Sequence, residues 1–200
     1  MYVTNAQAFY EQLKNDKFNN FTQPLSTQQN KIICKFCSNK VPKTFWGKLY
    51  AVKALVKDLI KDGLIPKVKI KAYLFKKGLA SMTEDGKILL YYNFFFRQPY
   101  CESVLTLMHE LAHVKLCSWE GYSALKQCDD RFLLNYIKHI SCTVVSPIEY
   151  YANIMAIDWL NQVMAQMVQD DRLIQLSAVK ERLVEKLIKA KEKLFLSTGD

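Results

Sequence analysis

The sequence lacks the features that mark exported or membrane-spanning proteins. No apolar run within its 200 residues reaches the 18 or so residues that a membrane-spanning helix requires. The first residues also lack the basic-then-apolar order of a signal peptide. We therefore expect a cytoplasmic protein whose six cysteines are reduced thiols. The length and the apolar fraction of 50% predict one globular domain over residues 1–200.

Histidine is scarce, which makes its placement informative. Only three histidines occur, and two of them, His109 and His113, enclose the sequence Glu110-Leu111-Ala112. Apolar neighbours predict a buried helix, on which positions i and i+4 share a face. Both imidazoles can then bind one cation, and Glu110 can take a proton from a metal-bound water. The alternative is a chance match on an ordinary helix, with both histidines hydrogen-bonded in the core.

A zinc site of this kind needs a third protein ligand, and several candidates can be tested by spacing. The metzincin pattern is excluded, because Leu116 and Trp119 stand where it requires Gly and His. Glu120 lies about 10 Å along the helix axis from His113, which is too far while the helix continues. His139 would reach the site only if its segment folded back.

Glu149 is the preferred third ligand. Ser146 and Pro147 are typical of the N-cap and first position of a helix, so Glu149 begins a new helix that can cross the first. Asn153, one turn later, could hydrogen-bond a ligand imidazole from the outer shell of the site. The competing interpretation is a capping box, in which the Glu149 carboxylate bonds back to Ser146.

The remaining patterns predict an α+β fold, mostly helical, with about three strands before the metal-binding helix. Residues 67–75 alternate as a half-buried strand, and Asp85-Gly86 is a hairpin signal between strands at 80–83 and 87–94. The helices are expected at 4–17, 44–62, through the metal motif to about 120, and at 122–141, 147–170 and 171–195. Residues 15–30 are expected to be loop, residues 1–43 a loosely attached arm, and 171–195 a C-terminal amphipathic helix.

The helix at 44–62 shows the strongest amphipathic pattern. Its apolar stripe is expected to be buried, with Lys53, Lys57 and Lys61 on the opposite face. The stripe consists of Phe45, Trp46, Leu49, Val52, Leu55, Val56, Leu59 and Ile60.

Cys34 and Cys37 form a C-x-x-C pair that could supply half of a second, structural zinc site if it lies on a turn. Such a site needs two more ligands, and no second C-x-x-C occurs. The preferred interpretation is that these residues are buried thiols that pack as small hydrophobic groups.

Positive charge is concentrated in one segment. The chain has 28 basic and 19 acidic residues, and residues 31–77 contain thirteen lysines against Asp58 and Asp62. A basic segment can bind nucleic acid or an acidic protein. The preferred interpretation is a solvated lysine face, because the lysines fall at the polar positions of amphipathic elements.

These motifs resemble the gluzincin-type zinc metallopeptidases, and most closely the small bacterial and phage ImmA/IrrE-like peptidases. The resemblance covers roughly residues 45–170, and Met155 stands where that family usually has Phe. The matching positions are His109, Glu110, His113, Glu149, Ala152, Asn153 and Ala156, preceded by Gly86, Ile88 and Asn93. The resemblance implies a zincin-like domain and a protein or peptide substrate, such as a regulatory protein.

The predicted function is therefore a metallopeptidase with one zinc ion per chain. His109, His113 and Glu149 are the predicted ligands, and Glu110 is the general base. The oxyanion stabiliser is not identified by a pattern, and Tyr150, Tyr151 and His139 are its candidates. Two alternatives stay open: a non-catalytic protein that binds nucleic acid or protein through residues 31–77, and a degenerate peptidase fold with structural zinc only.

Overall fold

A computed structural model describes residues 24–38, 42, 44–83, 86–119, 122–123, 125–127, 129–130 and 146–196, with the side chains of 147 and 188–196 left out. The predicted helix at 4–17, most of the predicted arm at 1–43, and His139 lie outside the described residues. The described elements follow in the order α1 (Thr27–Ser38), α2 (Phe45–Lys61), β1 (Lys69–Tyr73), β2 (Ala80–Met82), β3 (Lys87–Tyr91), α3 (Tyr92–Phe96), α4 (Tyr100–Cys117), α5 (Pro147–Met164) and α6 (Asp171–Leu196).

This architecture confirms the α+β prediction, with helices predominating over one small sheet. The sheet has the order β1-β3-β2, so β3 is central and β2 is an edge strand. β1 runs parallel to β3, and β2 pairs antiparallel to it as the predicted hairpin. Gly86 ends the hairpin turn with φ +68°, a backbone conformation that favours glycine over residues with a Cβ.

Several predicted boundaries were wrong. The strand predicted to continue to 94 ends at Tyr91, and α3 follows it directly. The helix predicted to reach 170 ends at Met164, and residues 27–30, predicted as loop, form the first turn of α1. The described residues at 122–123, 125–127 and 129–130 are helical, as the predicted helix at 122–141 requires.

Helix α2 confirms the predicted helix but not the whole predicted stripe. Leu49, Val52 and Leu59 are buried, whereas Trp46 is 62% exposed. The reason is angular: at about 100° per residue, Trp46 lies on the sector of Tyr50, well away from the centre of the buried sector. The prediction assigned Trp46 to the buried stripe because its side chain is apolar, not because of its angular position.

The core is built around the pair α4 and α5. From α4, Leu107, Met108 and Leu111 are fully buried, and α5 contributes Ala152 and Leu160 to the same cluster. Small side chains such as Ala152 allow two helices to approach closely. Within the described residues, no helix is long and apolar enough to cross a membrane.

Candidate metal centre

The two motif histidines project from one face of α4. His109 and His113 are one helical turn apart, and their Nε2 atoms lie 3.0 Å from each other. The rings are nearly perpendicular, with centroids 4.5 Å apart. The predicted i, i+4 arrangement of the two imidazoles is therefore confirmed.

Glu149, in the first turn of α5, completes the cluster. Its Oε2 lies 3.1 Å from Nε2 of His109, and its Oε1 lies 3.2 Å from Nε2 of His113. The Glu149 side chain is 50% exposed, whereas both histidine side chains are mostly buried. The site therefore has one wall open to solvent, which gives access to an ion and a further ligand.

The contacts at the start of α5 distinguish the two interpretations of Glu149. Ser146 is the N-cap, and its hydroxyl accepts a hydrogen bond from the backbone N–H of Glu149 at 3.4 Å. Oδ1 of buried Asp129 accepts a second one from the N–H of Ile148 at 2.9 Å. The Ser146 bond is one half of a capping box, but both carboxylate oxygens of Glu149 lie against the histidines, so the geometry favours the ligand interpretation.

The separations of the donor atoms are compatible with one metal ion. Metal–ligand bonds of about 2.0–2.2 Å in a tetrahedral arrangement place ligand atoms roughly 3.3 Å apart. Here the two Nε2 atoms are 3.0 Å apart, and each faces a different carboxylate oxygen of Glu149, at 3.1 Å for His109 and 3.2 Å for His113. His109, His113 and Glu149 could therefore hold a metal ion, and they are the one such group among the described residues.

The electrostatics of the cluster also favour a cation. Burial by itself lowers the pKa of His109, but the hydrogen bond and the charge of Glu149 outweigh it and raise that pKa above 6.5. Burial likewise opposes ionisation of Glu149, yet its hydrogen bonds to both imidazoles hold its pKa well below the usual range. The carboxylate is thus ionised, and two nitrogen atoms face it.

Glu110 lies beside this cluster and contacts the sheet. It is buried, and burial raises its pKa, against the opposing influence of His109 and His113. The backbone of Met82, on edge strand β2, lies near its carboxylate and acts to lower the same pKa. Met82 was not predicted as part of the site, because its contribution is a backbone group and leaves no pattern in the sequence.

Asn153 is placed next to His109, as predicted, although no well-aligned hydrogen bond joins them. Its side chain helps to raise the pKa of His109, while its amide nitrogen donates to the carbonyl oxygen of Glu149 at 2.8 Å. Within the described part of the chain, the buried Nδ1 of His109 has no hydrogen-bond partner. Asn153 is therefore a candidate for the acceptor that the second ring nitrogen of a metal-bound histidine usually has.

Tyr150 and Tyr151, the described candidates for the oxyanion stabiliser, follow Glu149 directly on α5. Tyr151 is buried in the core, and Tyr150 is half-buried with its ring edge-on to Tyr151. Their oxyanion role stays a prediction, as does that of His139. Cys34 and Cys37 lie on helix α1 rather than on the turn that the alternative zinc site would need. Burial raises the pKa of Cys37 to about 12, which disfavours the thiolate that binds metal.

No family model, curated protein or solved structure matches the chain. What can be said of function therefore depends on the geometry of the site.

Proposed function

We propose that this protein is a zinc-dependent metallopeptidase that hydrolyses peptide bonds of a protein substrate, as the resemblance to the gluzincins implies. The observation that carries the proposal is the approach of Glu149 to His109 and His113, with Glu110 beside them. Two imidazole nitrogens and one carboxylate oxygen are a donor set that suits zinc. Catalytic zinc sites characteristically use three protein ligands and leave one position open.

Each residue has a separate task in this proposal. His109, His113 and Glu149 would hold the zinc ion, which when bound polarises the scissile carbonyl and makes water more acidic. Glu110 accepts a proton from the attacking water and returns it to the nitrogen of the leaving amine. Its raised pKa suits both transfers, because a catalytic acid–base works best when its pKa is near the working pH.

The sheet supports a peptide substrate in particular. β2 is one of the two edge strands of the described sheet, and the backbone of Met82 on it lies near Glu110. The backbone groups on the outer side of an edge strand can pair with an extended peptide. A substrate strand added there would run past Glu110, so its peptide carbonyls would lie near the proposed general base.

The test is to replace Glu110 with Gln, which keeps the size of the side chain and removes its ability to accept a proton. Zinc-loaded wild type and Glu110→Gln would be incubated with a proteome-derived peptide library, and new termini identified by mass spectrometry. We expect cleavage by the wild type, a loss of at least about 100-fold in the variant, and the same zinc content in both.

Glu102→Gln is the matched control, because it makes the same change in the first turn of α4. Glu102 pairs there with Arg182 at the surface. It should cleave like the wild type. Identical termini from the wild type and Glu110→Gln at equal zinc content would overturn the peptidase proposal and leave a structural metal site.

A further inference from the structure

Two large aromatic side chains on helix α2 are exposed to solvent. Trp46 is 62% exposed and Tyr50, one turn later, is 64% exposed. Their ring centroids are 6.3 Å apart and the planes are tilted by 31°. Neighbouring exposed aromatic side chains of this size mark an interaction site more often than an ordinary surface.

Trp46 of this aromatic pair is supported by other rings. Phe45 packs edge-on against Trp46 at 4.9 Å and against buried Phe95 at 4.7 Å. It also stacks on Phe96, with centroids 6.0 Å apart and planes only 9° from parallel. Because Phe45 packs on buried Phe95, it limits the motion of Trp46 and so reduces the conformational entropy that this side chain would lose on binding.

Lysines continue the same side of the helix. Lys53, Lys57 and Lys61 are all exposed. Together with Trp46 and Tyr50 they occupy a sector of about 80° at 3.6 residues per turn. The row is about 22 Å long, and successive lysines are about 6 Å apart along the axis. We refer to these five residues as the α2 row.

No acidic side chain in the described part of the chain forms an ion pair with the α2 row. Among the described residues, ion pairs join Arg182 to Glu102 and the histidines to Glu149, and none involves these three lysines. Like charges at i, i+4 on a helix repel each other. An anionic partner would relieve this repulsion, so the positive charge of the row favours a negatively charged ligand.

We propose that the α2 row binds single-stranded nucleic acid, with bases stacked on Trp46 and Tyr50 and phosphates along Lys53, Lys57 and Lys61. Aromatic faces beside a line of positive charge are the two components of such sites. A protein partner fits less well, because lysine is depleted from the cores of protein–protein interfaces. Stacking of this kind tolerates any base, so the proposed binding does not depend on sequence.

Fluorescence anisotropy with labelled oligo(dT) and oligo(U) tests the proposal on the full-length protein. We expect Trp46→Ala and Tyr50→Ala each to weaken binding about tenfold or more. Replacing Lys53, Lys57 and Lys61 together with Ala should reduce the slope of log affinity against log salt by about 2, measured between ~50 and ~200 mM salt. DNA and RNA share this chemistry, and the two probes show which one binds more tightly.

A triple Ala variant at Lys35, Lys126 and Lys186 is the matched control, because it removes the same charge from exposed positions outside α2. In this control, Trp46→Ala and Tyr50→Ala should weaken oligonucleotide binding as much as they do in the wild type. The control itself should lose less affinity than the variant with Ala at Lys53, Lys57 and Lys61. Circular dichroism would confirm that all variants are folded. Equal losses in both triple variants, no effect of the aromatic substitutions, or binding to phosphatidylserine-containing vesicles without binding to either oligonucleotide would overturn the proposal.

Discussion

Oε1 of Glu149 lies 3.2 Å from Nε2 of His113, although Glu149 follows 36 positions later in the chain. The contact exists because α5 begins beside the middle of α4 and the two helices share one core. The three candidate ligands are thus brought together by tertiary packing rather than by one motif. Substitutions at the start of α5 should separate ligand loss from loss of helix stability.

Glu149→Ala should mainly weaken zinc binding, whereas Ser146→Ala should mainly lower stability. Glu149→Ala removes one of three ligands, so zinc affinity should fall by more than about 100-fold, beyond the loss typical of an outer-shell group. Ser146→Ala removes a helix cap, which costs about 1 kcal/mol and lowers Tm by about 2–4 °C. Zinc content by mass spectrometry and thermal unfolding of the zinc-free protein measure the two effects. Retention of zinc by Glu149→Ala would remove Glu149 from the site.

How far the sequence predicted this site depended on the kind of interaction. His109 and His113 follow from helical periodicity alone, and Glu149 from the helix-start signal at Ser146 together with the resemblance. Asp129 was missed, because its capping bond to Ile148 joins distant positions through a single hydrogen bond. Such a contact has no spacing that distinguishes it from any other aspartate. Trp46 was misplaced because hydrophobicity was given more weight than its angular position.

Asp129 should act as a positioning residue for the metal centre. It is buried and accepts a hydrogen bond from the backbone of Ile148, directly before Glu149. Asp129→Ala should destabilise the fold by about 0.5–2 kcal/mol, as expected for loss of a cap. It should also weaken zinc binding about tenfold, because the start of α5 is less well fixed.

Asp129→Asn is the conservative partner of that variant, because its amide oxygen can still accept the hydrogen bond from Ile148. It should restore most of the zinc affinity lost in Asp129→Ala, measured by competition with a chromogenic chelator. If Asp129→Ala binds zinc as tightly as the wild type, the residue stabilises the helix without positioning the ligand.

Zinc affinity should depend on pH through His109. Its pKa is raised above 6.5, mainly because Glu149 overcomes the effect of burial, and zinc binds the unprotonated imidazole. As pH falls through that raised pKa, protons compete with zinc and the apparent affinity should drop about tenfold per pH unit. Glu149 remains ionised over this range, because its pKa is lowered.

Competition titrations from about pH 5 to pH 8 measure this dependence. The stability of the zinc-free protein depends on pH in the opposite direction: it falls as pH rises. The raised pKa of His109 stabilises the fold below pH 6.5, and this stabilisation is lost as pH rises through the folded-state value. The increase in Tm on adding zinc should therefore grow with pH. An increase that is constant over the whole range would contradict the assignment of His109 as a ligand.

Asn153 should tune the metal centre without binding the ion. Its side chain lies beside His109, whose buried Nδ1 has no hydrogen-bond partner in the described residues. When Nε2 of His109 binds zinc, Nδ1 carries the proton, and an amide oxygen next to it would fix the ring. Asn153→Ala should weaken zinc binding about 10- to 100-fold, whereas Asn153→Asp keeps an acceptor and should bind zinc at least as tightly as the wild type. Equal losses in both variants would mean that Asn153 acts through its donor bond to the carbonyl oxygen of Glu149, which aspartate cannot make.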